Sequence, residues 1–156
     1  MMDPPRFRSL LGRFASGITV VTTCDRGTDH GITVSAFCSL SLEPPLVLIC
    51  IEQRARIHEV LLRATHFAVN VLAAHQEDIS RRFAERPDDR FDGLGYTRGL
   101  TGTPILEGIL AYIECEIRSR HAGGDHTIFV GEVIAGTASD DRPLLYYRGG
   151  YAQLER

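Results

Sequence analysis

Hydroxyl residues recur through one apolar stretch of this 156-residue chain, Gly31-Ile32-Thr33-Val34-Ser35-Ala36-Phe37-Cys38-Ser39-Leu40-Ser41. Thr33, Ser35, Ser39 and Ser41 share one parity. On a strand they point to one face and offer neutral donors and acceptors suited to a ring edge or a phosphate. A solvated strand edge carries the same pattern, and spacing alone does not separate the two. A second candidate, Glu52-Gln53-Arg54-Ala55-Arg56-Ile57, links an apolar run to a helical stretch. Two arginines at a helix start oppose the macrodipole, yet together with free backbone N–H groups they can meet a phosphate. Solvated arginines in a surface loop are the alternative. The third candidate is Gly123-Gly124-Asp125-His126, a glycine-rich turn that delivers a histidine to the head of a strand. An imidazole that titrates near neutral pH can bind a ligand or donate a proton, although turn histidines are often simply exposed.

Several other chemistries lack their parts. His121 and His126 do not have a zinc spacing and no Glu or Cys partner completes a site, so no metal is expected. There is no GxSxG elbow, no P-loop and no GxGxxG fingerprint, so a nicotinamide must be held in some other way. Cys24, Cys38, Cys50 and Cys115 form no CxxC and lie in apolar or alternating stretches, which suits reduced, buried thiols. A net charge of −3 gives no reason to expect nucleic acid or an anionic membrane as partner. No apolar run approaches the roughly 20 residues of a membrane span. The start, MMDPPRFRSLLGRF, has Pro and Arg where a signal peptide needs its apolar segment, so a cytoplasmic protein is expected.

The elements that position these residues follow from periodicity. With 44% hydrophobic residues the chain reads as one domain with its own core. Asp3-Pro4-Pro5 starts a short amphipathic helix bearing Phe7, Leu10, Leu11 and Phe14, which Gly17 ends. ITVVTTC, the turn formers DRGTDH and GITVSAFC read as a hairpin. LVLICI follows Glu43-Pro44-Pro45 and reads as a central strand buried on both faces, with Pro45 at its first position. Residues 55–63 put Ile57, Val60 and Leu61 on one helical face, HFAVNVL returns to strand, and 75–86 places Ile79 and Phe83 four apart before Pro87. DDRFDGLG and GLTGTP mark a long loop. AYIECEIRSR alternates Ile113, Cys115 and Ile117 with Glu114, Glu116 and Arg118, the pattern of a strand with one wet face. HTIFVGEVIAG and LLYYRGGYAQL supply the last strands. Six or so strands with two or three short helices favour a mainly β, antiparallel barrel over a doubly wound sheet.

In order along the chain, FASGITVVTT, GITVSAFCSLSLEPPLVLICIE, HFAVNVL, FAERPDDRF, GDHTIFVGEV and PLLYYRGGY resemble the short-chain flavin reductase family, the reductase components of two-component flavin-dependent monooxygenases. The resemblance covers nearly the whole chain. It implies a split β-barrel, antiparallel and Greek-key-like, in a homodimer with the flavin in a groove near the dimer interface. It also implies an NAD(P)H:flavin oxidoreductase that reduces FMN, or FAD, with hydride from NADH, or NADPH, and passes the reduced flavin to a transient monooxygenase partner. Carried over residue by residue, Thr33, Val34, Ser35 and Ala36 line the isoalloxazine edge, with Ser39 and Ser41 nearby. Cys50, Ile51 and Glu52 border the flavin tail, Ala55 and Arg56 stand at its phosphate, His126 sits beside the nicotinamide, and Tyr147 with Arg148 helps to close the site. The chain departs from the family where a Ser-Arg-Thr-like phosphate clamp is common, reading Ala55-Arg56-Ile57. Two hydroxyls are missing, which favours a flavin that exchanges readily, or FAD in place of FMN. Hydride transfer between nicotinamide and flavin is chemistry the cofactors already possess, so the protein needs only to stack and orient the rings. Two other readings remain: a flavoprotein reductase of another acceptor, such as a corrinoid or ferric complex, and a non-enzymatic flavin-binding redox sensor.

Overall fold

The computed structural model describes residues 1–155. Helix α1 (Pro4–Leu11) leads through the two-residue β1 (Ser16–Gly17) into β2 (Thr19–Asp25) and β3 (Thr28–Val34). These two strands form the expected hairpin. Arg26 and Gly27 both take positive φ, +52° and +79°, the two-residue turn whose twist matches a right-handed β-ribbon. Next come β4 (Phe37–Ser41), β5 (Leu46–Glu52), α2 (Arg56–Arg63), β6 (His66–Val71) and α3 (Glu77–Glu85). A small hairpin, β7 (Tyr96–Arg98) and β8 (Pro104–Leu106), falls within the segment expected to be loop. The long β9 (Ala111–Gly123) and β10 (His126–Ala138) follow, and β11 (Leu144–Tyr147) and β12 (Gly150–Gln153) close the chain.

Seven strands build the main sheet in the order β3-β2-β6-β9-β10-β5-β4, every pair antiparallel, and the sheet does not close on itself. Pairing β2 with β6 and β5 with β10 brings together strands far apart in sequence, as in a Greek key. Two register shifts between β9 and β10, at Val130/Gly131 and Val133/Ala135, bend this ribbon so that the sheet curls. Inside the curl, Val47, Ile49, Ile51, Phe67, Val69 and Phe129 meet Ile57, Val60 and Leu61 of α2, the helix face read from the sequence. Each such side chain contributes about 1.5–3 kcal/mol on burial. A second cluster gathers Ile18, Val20, Leu72 and Leu144 around Phe83 of α3.

Several expectations need correction. Helix α1 stops at Leu11 with Gly12 as its cap, earlier than Gly17, and none of its residues is buried. β5 is not central and is not buried on both faces: it lies one strand from the sheet edge, with Val47, Ile49 and Ile51 buried and Leu46, Leu48 and Cys50 only half-buried. Its apolar run is continuous because its second face is apolar too, and this chain covers that face only in part. Glu114, read as a wet-face residue, is 1% exposed because residues 99–103 fold back over it. Among the cysteines, all free, only Cys115 is buried; Cys24 and Cys50 are half-buried and Cys38 is exposed. Burial pushes the Cys115 thiol up to about 12, which makes it inert. Among the described residues, no helix is long and apolar enough to cross a membrane.

Candidate active site

A cavity of about 350 Å³ opens between β3, the start of α2 and the segment 87–91, with Asp29, Gly31, Ala55, Arg56, Asp88 and Arg90 in its wall. Helix α2 begins without a side-chain cap because Ala55 has no oxygen to offer its first-turn N–H groups. The Arg56 guanidinium reaches across the mouth and donates through Nη1 to Asp88 Oδ1 at 2.6 Å and to the Pro87 carbonyl at 3.3 Å. Arg90 is held by neutral acceptors, donating to the carbonyls of Gly31 at 2.8 Å and Arg86 at 2.6 Å. Burial and then the positive charge of Arg56 push the Arg90 guanidinium below its usual range. An exposed and a partly buried guanidinium beside an uncapped helix start attract an anion, which would compensate both charges and meet the free N–H groups. Ile57 is 3% exposed and packs in the core, so a hydroxyl at that position would face the helix-sheet contact and not the cavity.

The same segment is tied to the Gly123-Gly124-Asp125-His126 turn. His126 opens β10 directly opposite Glu52. The Gln53 N–H donates to the Asp125 carbonyl at 2.9 Å, and Gln53 Nε2 to the His126 carbonyl at 3.3 Å. The turn closes through Gly124 at φ +64°, a value that favours glycine. His126 Nδ1 lies 2.7 Å from Asp125 Oδ1, which fixes the ring and leaves Nε2 to face a ligand. That hydrogen bond, together with the charge of His126, holds the Asp125 carboxyl below its usual range.

A smaller cavity of about 210 Å³ lies at the C-terminal end of β3, among Ile18, Thr33, Ser35, Ser80, Tyr146 and Tyr151. Thr33 donates through Oγ1 to the Ser80 carbonyl at 2.6 Å, Ser80 Oγ and Tyr151 OH are 2.9 Å apart, and Arg81 stacks 4.8 Å above the Tyr151 ring. With this geometry the matches to known proteins can be interpreted. The flavin reductase like domain family matches residues 11–155.

The chain belongs to the flavin reductase-like family. It is 44% identical to the reductase subunit HsaB of a flavin-dependent monooxygenase from Rhodococcus jostii, over 99% of this chain and 80% of that one. It is 41% identical to the FMN reductase (NADH) SmoA of Agrobacterium fabrum, over 96% of this chain and 86% of that one. Its fold is similar to that of Streptomyces globisporus NADH:FAD oxidoreductase SgcE6, solved with NAD and FAD fragments. The TM-score is 0.93 at 39% identity, covering 99% of this chain and 96% of that one. The activity class is that of the family, flavin reduction, on a split-barrel fold.

Within this flavin reductase the candidate residues read from the sequence fall into several places. Ala55 and Arg56 line the larger cavity, beside the edge that carries Glu52 and His126. Thr33 and Ser35 line the smaller one. Ala36 and Cys50 are adjacent, the Cys50 N–H donating to the Ala36 carbonyl at 3.0 Å. Val34 and Ile51 bury their side chains in the core and offer a ligand only backbone; the Val34 carbonyl already accepts the Thr19 hydroxyl at 2.6 Å. Ser39 and Ser41 lie on β4, at the opposite edge of the sheet from β3, so the parity shared with Thr33 and Ser35 does not carry across. Tyr147 and Arg148 form the tip of the β11–β12 turn against Gly12, and line neither cavity. Arg90 and Asp88 were missed as site residues. Their signal lay in FAERPDDRF, whose arginine and aspartates read as turn chemistry until the fold brought them to α2.

Proposed function

We propose that this flavin reductase binds FMN, or FAD, with its phosphate at Arg56 and Arg90, accepts hydride from NADH, or NADPH, and hands the reduced flavin to a flavin-dependent monooxygenase. The observation that carries the reading is the meeting of Arg56 and Arg90 in one cavity at the uncapped start of α2, on the segment that follows Glu52, the ladder partner of His126. Guanidiniums and free N–H groups are the donor set a flavin phosphate requires. When bound, the two cofactors supply the hydride transfer themselves. The chain's residues bind and orient: Arg56 and Arg90 neutralise the phosphate, residues 33–36 line the ring edge, residues 50–52 border the flavin tail, and His126, steadied by Asp125, positions the nicotinamide. No group in this set is required to exchange a proton with substrate.

In this reading the chain is one domain and works as a homodimer. Support for the second copy comes from Phe7, Leu10 and Leu11 of α1 and Phe14 just after it, all at least half exposed, and from the partly covered apolar face of β5. Four free cysteines suit a reducing, cytoplasmic setting. The names of the relatives, reductase subunits of monooxygenases among them, support the partner. The test is nicotinamide oxidation by the purified protein without flavin, with FMN and with FAD, followed by filtration. Saturable, flavin-dependent oxidation with the flavin in the filtrate is expected. A retained flavin that nicotinamide does not reduce would overturn this reading in favour of the redox sensor.

A further inference from the structure

The ion pair at the mouth of the larger cavity sets the two arginines apart. Arg90 spends its hydrogen bonds on neutral carbonyls, so its charge stays uncompensated and its position is fixed. Arg56 faces a carboxylate, and among the described residues Arg56 is the one partner of the Asp88 side chain. Both members are exposed, 76% and 64% of their side chains, so the pair is held weakly and opens readily. Asp88 itself sits on a braced turn: Asp89 takes φ +57°, and the Arg86 guanidinium donates to the Asp89 carbonyl at 3.0 Å. The carboxylate therefore stays within reach of Arg56 whether or not the pair is closed. Ala55 brings no hydroxyl and Ile57 is turned into the core, so nothing at the helix start substitutes for Arg56.

We propose that Asp88 is a displaceable counter-ion for Arg56, competing with the flavin phosphate and setting how readily the flavin leaves. The proposal rests on the reading of Arg56 as a phosphate contact. A bound phosphate must first take the guanidinium from Asp88 and then sit near that freed carboxylate, and both effects weaken retention of phosphorylated flavins alone. Riboflavin, which has the same ring system and no phosphate, escapes both.

The test titrates the full chain with FMN and with riboflavin, followed by flavin fluorescence, for wild type, Asp88→Asn, Arg56→Gln and the double variant. Asp88→Asn is expected to tighten FMN binding by about two- to fivefold, the range of an exposed ion pair, and to leave riboflavin unchanged. Arg56→Gln is expected to bring FMN affinity down towards that of riboflavin, and in that background Asp88→Asn no longer tightens FMN. If Arg56→Gln weakens FMN while Asp88→Asn leaves it unchanged or weakens it, Asp88 braces the arginine and the proposal falls. If Arg56→Gln leaves FMN affinity unchanged, the phosphate reading of Arg56 fails and takes the proposal with it.

Discussion

Replacing Glu114 with Gln tests how the fold holds the wall of the larger cavity. Glu114 is 1% exposed on β9 and accepts four hydrogen bonds: from the N–H groups of Leu100 and Thr101 at 3.1 and 2.9 Å, and from the hydroxyls of Thr101 and Thr103 at 2.7 and 3.3 Å. The carboxylate pins the turn between β7 and β8, and β7 in turn grips β3, Arg98 and Tyr96 both donating to Asp29 in the cavity wall. Burial pushes the Glu114 carboxyl up, but the donors of Thr101, Leu100 and Thr103 outweigh it and hold the group below its ordinary value of 4.5. Gln keeps the shape and one acceptor oxygen, but turns an NH₂ towards donors that need an acceptor. Hydrogen bonds to a charged group contribute about 1.5–3 kcal/mol each and are not additive, so a loss of about 2–4 kcal/mol is expected at neutral pH. For a chain of this size that is a fall in Tm of roughly 5–12 °C.

The pH dependence carries the sign. A carboxylate whose pKa is depressed on folding contributes its stability above the unfolded value, and loses it as pH falls from there through the folded value. Gln does not titrate, so the gap between wild type and Glu114→Gln should narrow below 4.5. Thermal unfolding followed by circular dichroism across that range checks both statements. An equal Tm at neutral pH, or a gap that does not change on acidification, refutes the argument that the ionised carboxylate holds this turn.

A Cβ at Gly31 would stand 2.7 and 2.9 Å from the fully buried Phe83 ring and 3.2 Å from Phe91. Gly31→Ala should cost about 1–3 kcal/mol by overpacking, seen as a lower midpoint in urea, and an unchanged midpoint would mean that α3 slides away freely. If the face of α1 meets a second copy, Leu10→Glu should shift the protein from dimer to monomer in light scattering, while a dimer that persists would move the interface elsewhere. His126→Ala should raise the KM for NADH by about tenfold and leave the pH profile of kcat in place; loss of an ionisation in kcat would make His126 a proton-transfer group.

Local pattern determined much of this protein. The Arg26-Gly27 turn and its β-branched flanks specify the β2–β3 hairpin, the spacing of Ile57, Val60 and Leu61 specifies the buried face of α2, and Gly123-Gly124 places His126 at the head of β10. Each depends on backbone conformations or a periodicity that neighbouring residues settle among themselves. What covers a face is a different matter, because it depends on segments remote in sequence. LVLICI carries apolar side chains on both faces, and only the tertiary structure shows that one is buried while the other is half-buried near the sheet edge. Glu114 alternates like a solvent-facing residue, and only the return of residues 99–103 buries it. Arg90 looks like one charge in a polar loop until the fold sets it beside Arg56, 34 positions earlier, and a charged group acquires its role from the charges that long-range packing brings near it.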